Sequence, residues 1–578
     1  MRKRIERELG VSRQPFISTF HSLGVHILRE QSVQAGIKRH FTIFDRDDSK
    51  KAVREALLTL GLDPKTHDPA RLLGIISREK GRGTDVEDWE ARLPAGRQGY
   101  FSNVVEQVWP CYEKILGRDN ALDFDDLLVK TMNLLNDNQA VREFYQNTWE
   151  YIHIDEYQDT NRVQYEISKM LVGKNKNICA VGDIDQNIYS WRGADIKNIL
   201  DFEKDYPDAQ VITLEENYRS TKIILEAANA VIEKNKIRLK KNLFTTNSEG
   251  EKIGLFGGDD EVGEAEFIAN KAAELIKRGL SPGEIAVLYR ANFQSRVIEE
   301  AFMNQGIPYQ LLGTRFFERK EVKDIVSYLR AALNPDSISD KRRIINVPAR
   351  GIGKTTVLKI FSGDKSPLPL SMKTKLENFE TLLREIEKTA KQKRPSETIS
   401  FIIKMSGLGK EWKDGGDEGR ARLENAYELS NFASRYDNES PEEGILNFLA
   451  DAALQSDQDE MQDEKKAVRL MTVHASKGLE FDIVFASGLE DGLFPHQKVN
   501  EGDVSLEEKE EERRLFYVAL TRARKKIFLS YAQTRTLFGR RQVNIPSEFI
   551  FDIPEALLEE EVSHEHRFSR KPLLEIDF

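Results

Sequence analysis

Four short apolar runs of β type, Tyr151–Ile154, Ile178–Val181, Val211–Leu214 and Val468–Val473, each stop at polar residues. Helical patterns separate the first three. Buried strands alternating with helices make βαβ units, and such units build a parallel sheet. Ligands of parallel sheets lie beyond the carboxyl ends of the strands, so the residues that follow each run are the candidates for chemistry. A second α/β stretch begins near Glu215 and carries the strand Ile285–Tyr289 before a helix over Gln294–Asn304. From about Arg319 to Lys465 the chain is charged, helical and poor in strand signals, with Asp414–Gly419 and Ser456–Lys465 reading as solvated loops. A similar helical insertion, roughly Ser32–Asn120, interrupts the first α/β stretch, and its Gly- and Arg-rich segment Gly81–Gly99 reads as a loop.

A chain of 578 residues calls for about three or four core-forming units. With 39% hydrophobic and 31% charged residues it has enough apolar surface to fold. No apolar run reaches the length that crosses a bilayer, and MRKRIERELG lacks the apolar region of a secretion signal. Cys111 and Cys179 make no disulfide framework or zinc spacing, which suits a reduced cytoplasmic protein. A net charge of -10 argues against overall attraction to nucleic acid while leaving room for a local basic groove.

The run YIHIDEYQDT delivers Asp155 and Glu156 together at a strand end. Adjacent carboxylates there suit holding Mg²⁺ and polarising a water that attacks a phosphate; a bare Asp-Glu pair is equally a polar strand cap. In AVGDIDQNIYSWRGAD, Gln186 is placed to sense a phosphate. Tyr189, Trp191 and Arg192 offer an aromatic and cationic platform for unpaired bases. Core packing is the alternative for Trp191, but Ser190, Arg192 and Gly193 are poor core neighbours. LEENYRST pairs Tyr218 with Arg219, and LMTVHASKGLEFDIVFASGLEDGLFP carries Thr472, His474 and Glu480. EERRLFYVALTRAR reads as a helix over Glu511–Arg524, with Leu515, Val518 and Ala519 inward and Arg522 near its end. Thr19-Phe20-His21-Ser22 has the form of a helix cap. RGIGKTT, Arg350–Thr356, imitates a phosphate loop, but the pattern requires glycine where Pro348 stands; it reads as a tight turn whose backbone amides face phosphates.

In this order, Thr19–Ser22, Tyr151–Thr160, Ala180–Asp195, Leu214–Thr221, Leu470–Pro495 and Glu511–Arg524 resemble motifs Ib, II, III, IV, V and VI of the UvrD/PcrA/Rep branch of superfamily 1 DNA helicases. Asp123–Leu128 resembles the family segment before motif II. The sequence departs from the family at Ile184 and Asn187, where an acidic residue and a serine are usual.

The resemblance implies two RecA-like parallel-sheet α/β domains, each with a helical inserted subdomain, forming a cleft that closes on ATP. It places the first domain at residues 1–31 and 121–213, with an insertion at 32–120. The second spans 214–318 and 466–553, with an insertion at 319–465, and 554–578 is a tail. Asp155 would hold Mg²⁺, Glu156 would activate water, and Gln186 would link phosphate to DNA. Tyr218 would stack on adenine, Glu480 would bind the ribose, and Arg219 and Arg522 would reach the γ-phosphate. Thr19, Phe20, His21, Tyr189, Trp191, Arg192, Thr472 and His474 would lie along single-stranded DNA. The GIG turn would contact duplex. The expected activity is 3′-to-5′ DNA translocation and unwinding in repair or replication, at junctions of single- and double-stranded DNA and with unspecified repair or replication proteins.

The family's Gly-Lys-Thr phosphate loop has no counterpart in this sequence. The expectation is therefore an N-terminally truncated helicase, whose alternative is a single-stranded DNA-binding remnant that does not hydrolyse ATP. An RNA-directed motor is a third reading.

Overall fold

The computed structural model describes residues 15–64, 66–86, 89, 100–239, 241–312, 316–335, 337–353, 356–357, 369–457, 467–496, 505–537 and 540–561. Most of Gly81–Gly99 and of Ser456–Lys465 lies outside these residues. The chain divides into two compact units, Met1–Val211 and Ile212–Phe578.

In the first unit, strand β1 (Thr42–Ile43) pairs in parallel with β2 (Ala121–Leu122), and β3 (Ile152–Ile154) pairs in parallel with β4 (Ile178–Ala180). The helix Arg162–Leu171 makes the β3-to-β4 crossover. It starts where Asn161 and Gln164 satisfy each other's backbone N–H groups in a capping box. Its apolar face, Val163, Ile167 and Leu171, joins Leu127, Leu134 and Leu135 of the helix Phe124–Asp137 and Ile27 and Leu28 of the helix Phe20–Glu30. A separate core gathers the helices Arg46–Thr59, Pro69–Gly81 and Tyr100–Arg118 around Val53, Leu57, Ile76, Val108 and Trp109.

The structure departs from one expected strand. Val211–Leu214 forms no strand, and Val211, Ile212 and Leu214 are exposed. β-type residues become a strand only when a neighbouring backbone completes the ladder. The pairing nearest this run is an isolated bridge between Glu216 and Phe244.

The second unit is built on a seven-stranded sheet. Its strands are β5 (Ile253–Gly258), β6 (Ile285–Tyr289), β7 (Tyr309–Leu311), β8 (Val468–Thr472), β9 (Phe481–Ala486), β10 (Ala523–Ala532) and, beyond the hairpin β11 (Thr534–Leu537) and β12 (Arg540–Val543), β13 (Leu558–Glu560). The order is β13-β5-β10-β9-β6-β8-β7, and every pairing in it is parallel. Central strands β6 and β9 are buried along their whole length, which is why β6 reads as a continuous apolar run and not as an alternating one; β9 breaks its run only at Asp482, which Arg524 and Lys525 satisfy. The sequence between β7 and β8 supplies the helical layer, including Lys320–Leu333, Leu370–Gln392, Pro395–Met405 and Gly416–Ala433, around its own core of Ile325, Leu329, Phe379, Ile402, Trp412 and Phe432.

Three boundaries differ from expectation. Asp414–Gly419 is not a loop: Asp414 caps the helix Leu408–Lys413 and the next helix begins at Gly416. Gly416 has φ 64°, and any side chain at Gly419 would meet the Trp412 carbonyl, so glycines that look like a linker are the tight joint between two helices. The motif VI helix covers Leu506–Leu520 and stops before Arg522; Ala523 already begins β10. The segment read as the start of a tail contributes β13, whose Leu558 pairs with Ile253.

Candidate functional site

Strand β3 ends by placing Asp155 and Glu156 at the surface. Glu156 adopts a left-handed backbone, φ 52°, a conformation costly for a residue with a side chain and concentrated at functional positions. The turn is held from both sides: the Tyr157 amide donates to the Val181 carbonyl (2.9 Å), and the Asp159 amide to the Glu156 carbonyl (2.9 Å). Asp155 Oδ1 accepts from the Glu156 amide at 3.0 Å.

Gln158, fully buried, reaches back to this turn. Its Nε2 donates to Glu156 Oε2 at 2.6 Å, and its Oε1 accepts from the Asp183 amide at 2.9 Å. Asp183 accepts from Gln186 Nε2 at 2.8 Å and from the Asp185 amide at 2.9 Å. Asn187 is buried and donates to the Gln158 carbonyl. Side-chain bonds thus run from Glu156 through Gln158 to the loop that carries Gln186. The departures at Ile184 and Asn187 are accommodated by burial of both.

Beyond this loop, Trp191 is 57% exposed and its ring centroid lies 6.4 Å from that of half-buried Tyr189. The Arg192 side chain lies outside the described residues. Thr19 caps its helix, its Oγ1 accepting from the Ser22 amide. Phe20 packs against the cluster of Ile154, Tyr157 and Tyr165. His21 meets Phe124 edge to face with centroids 5.5 Å apart, and burial lowers its pKa.

In the second unit, the Asn217 carboxamide accepts from the amides of Arg219 and Ser220, both at 2.9 Å, shaping the turn that presents Tyr218 and Arg219. Tyr218 is 76% exposed, its hydroxyl donating to Glu216 at 2.8 Å. Arg219 Nε donates to Glu480 Oε2 at 2.7 Å, and its Nη1 to the Thr521 carbonyl at 3.2 Å. The Arg219 hydrogen bond holds the Glu480 carboxyl below its usual range. Arg522 is buried, its guanidinium donating to the carbonyls of Val518 and Leu479, both at 3.1 Å. Residues of motifs IV, V and VI therefore converge on Arg219. Thr472 closes β8, and His474 opens the turn after it, where Thr472 Oγ1 accepts from the Ala475 amide.

The residues around Gly351 behave differently from expectation. The amides of Arg350 and Ile352 are taken by Asn346 Oδ1, and Arg350 donates to the carbonyls of Ile344 and Val347. Those two amides serve the turn itself. Lys354 and Thr355 lie outside the described residues.

Asp155 and Glu156 fit the usual way Mg²⁺ is held, by one or two carboxylates completed by phosphate oxygens and water. Among the described residues no larger group of metal-ligating side chains occurs. No helix there is long and apolar enough to cross a membrane. Gln158, Asp183 and Asn187 escaped the sequence reading as participants. The signal was present in the Gln-Asp of YIHIDEYQDT, but a glutamine's partner is invisible without the fold.

The first unit thus carries carboxylates at a strand end with a glutamine loop tied to them, and the second carries an arginine turn bonded to Glu480 and Thr521. The UvrD/REP helicase N-terminal domain matches residues 1–207, and the UvrD-like helicase C-terminal domain matches residues 212–534. This chain belongs to the UvrD-like helicase family. Similar relatives are the ATP-dependent DNA helicase PcrA of Bacillus subtilis (strain 168), 43% identical, and that of Staphylococcus aureus (strain MRSA252), 42% identical. Each match covers 97% of this chain and 78% of the relative.

Proposed function

We propose that this chain couples ATP hydrolysis to 3′-to-5′ movement on single-stranded DNA and to unwinding at duplex junctions, in repair or replication within the cytoplasm. The observation that carries the reading is Glu156: exposed, held in a left-handed turn at a strand end, and bonded through Gln158 to the Gln186 loop. Glu156 accepts a proton from the attacking water. Gln186 orients toward the phosphate, and its loop continues into the Tyr189–Trp191 platform, so a change at one end is felt at the other. Arg219 stabilises charge as the phosphoryl group transfers, after exchanging Glu480 for phosphate. Arg522 does the same once its carbonyl partners release it. Tyr218, exposed, offers its ring to adenine, and Glu480 offers its carboxylate to the ribose. Mg²⁺ at Asp155 would neutralise phosphate oxygens. Thr19, Phe20, His21, Arg192, Thr472 and His474 are assigned to the DNA path. Residues 1–31 with 121–213 and 214–318 with 466–553 are assigned as the RecA-like domains, and 32–120 and 319–465 as their insertions.

A second reading is the sequence's alternative, a chain that binds DNA without hydrolysing ATP. A chain that only binds single-stranded DNA predicts salt-sensitive binding with no effect of ATP. ATP turnover with and without oligothymidylate separates the two.

A further inference from the structure

The exposed Glu156 carboxylate is fixed on one oxygen by a side chain that the catalytic assignments above leave out. Gln158 presents a donor to Glu156 Oε2 and an acceptor to the Asp183 amide. A carboxamide does both at once, from two atoms of one short terminal group. A glutamate there has no proton to give Glu156 at neutral pH, and a leucine would strand the Asp183 amide. The fit is close: a Cβ at Gly182 would stand 2.6 Å from Gln158 Oε1 and 2.9 Å from Ile199 Cδ1, so the backbone passes Gln158 at a distance that glycine permits. The same residue accepts from Asn187 through its carbonyl. Asp183 holds Gln186. Every bond in this relay lies within the first unit.

We propose that Gln158 is a positioning residue for ATP hydrolysis, aiming the Glu156 carboxylate and locking it to the Asp183–Gln186 loop. The proposal rests on the hydrolytic reading above. Gln158 touches no substrate; it sets the direction in which Glu156 accepts the water's proton. It also makes that direction depend on the loop leading to Trp191. Loss of the lock leaves nucleotide binding in place and impairs the chemical step.

The test measures kcat and KM for ATP with saturating oligothymidylate in the parent chain and in Gln158→Glu, together with thermal melting of both and of the swap Glu156→Gln/Gln158→Glu. The expected result is a kcat roughly 100-fold lower in Gln158→Glu with KM within about twofold of the parent. The melting temperature should fall in Gln158→Glu and recover in the swap, which restores one donor and one acceptor in reversed order. A parent that turns over ATP beside a Gln158→Glu variant of equal kcat overturns the positioning role alone. So does a swap that melts no higher than Gln158→Glu. A parent without turnover overturns the hydrolytic reading and the positioning role with it.

Discussion

Trp191 carries the clearest prediction for a single side chain. Trp191 is an exposed indole beside Tyr189 on a loop bonded to the Glu156 turn, and the proposed function has it stack on bases. Trp191→Ala should weaken oligothymidylate binding by about 1–3 kcal/mol, roughly 5- to 150-fold in Kd, read by fluorescence anisotropy. Unchanged affinity would put the stacking elsewhere. Glu424 gives a prediction in pH. Burial pushes its carboxyl up from 4.5 to about 7, against the pull of Arg420 and Arg290. The folded value lies above the unfolded one, so the folded chain retains the proton between them, and stability falls as pH rises from about 4.5 to about 7. Glu424→Gln should remove that slope and raise stability at pH 7 by about 1–3 kcal/mol in urea unfolding; parallel pH profiles for parent and variant would contradict it. The exposure of Asp155 and Glu156 at a strand end, and of Trp191 in the loop beyond β4, was legible. Side chains that act by what they touch were not: the Arg219–Glu480 pair joins positions 261 residues apart, and no local pattern encodes it.

Among elements, a buried ammonium ties three helices of the first unit. Lys80, at the end of Pro69–Gly81, meets Glu113 of Tyr100–Arg118 at 2.7 Å and Asp123 and Asp126, which open Phe124–Asp137, at 2.9 and 2.8 Å. Tyr112 donates to Asp123 at 2.8 Å. Burial opposes the Lys80 charge, but Asp126, Asp123 and Glu113 hold its pKa well above the ordinary lysine range. Lys80→Met strands these carboxylates and should cost about 3–5 kcal/mol, seen as a lower midpoint in denaturant; an unchanged midpoint would mean that the carboxylates simply take up protons. The string DFDDLL was legible as a family segment, yet its buried partner Lys80 was not. Elements were legible where period and burial agree, as in β6 and β8; β9 went unread. They failed where a pattern had no partner, as in Val211–Leu214, or where a partner arrived from far along the chain, as β5 does for β13. The motif VI helix ended early because Thr521 closes it, leaving Arg522 in the turn between helix and strand.

For the whole chain, the division at Val211 and Ile212 falls between the two family matches, 1–207 and 212–534. The composition foretold several cores but not where they part. The large parallel sheet was foreseen in kind and only partly in membership. The proposed function makes these residues an ATP-hydrolysing motor responsive to single-stranded DNA. The direct measurement is ATP hydrolysis by this chain with and without oligothymidylate, beside a Glu156→Gln control. Turnover should be stimulated by the oligonucleotide and lowered about 10²- to 10⁴-fold in the control, whose DNA binding is retained. DNA binding without turnover in either chain, indifferent to ATP, would contradict it and leave a DNA-binding protein in place of a motor.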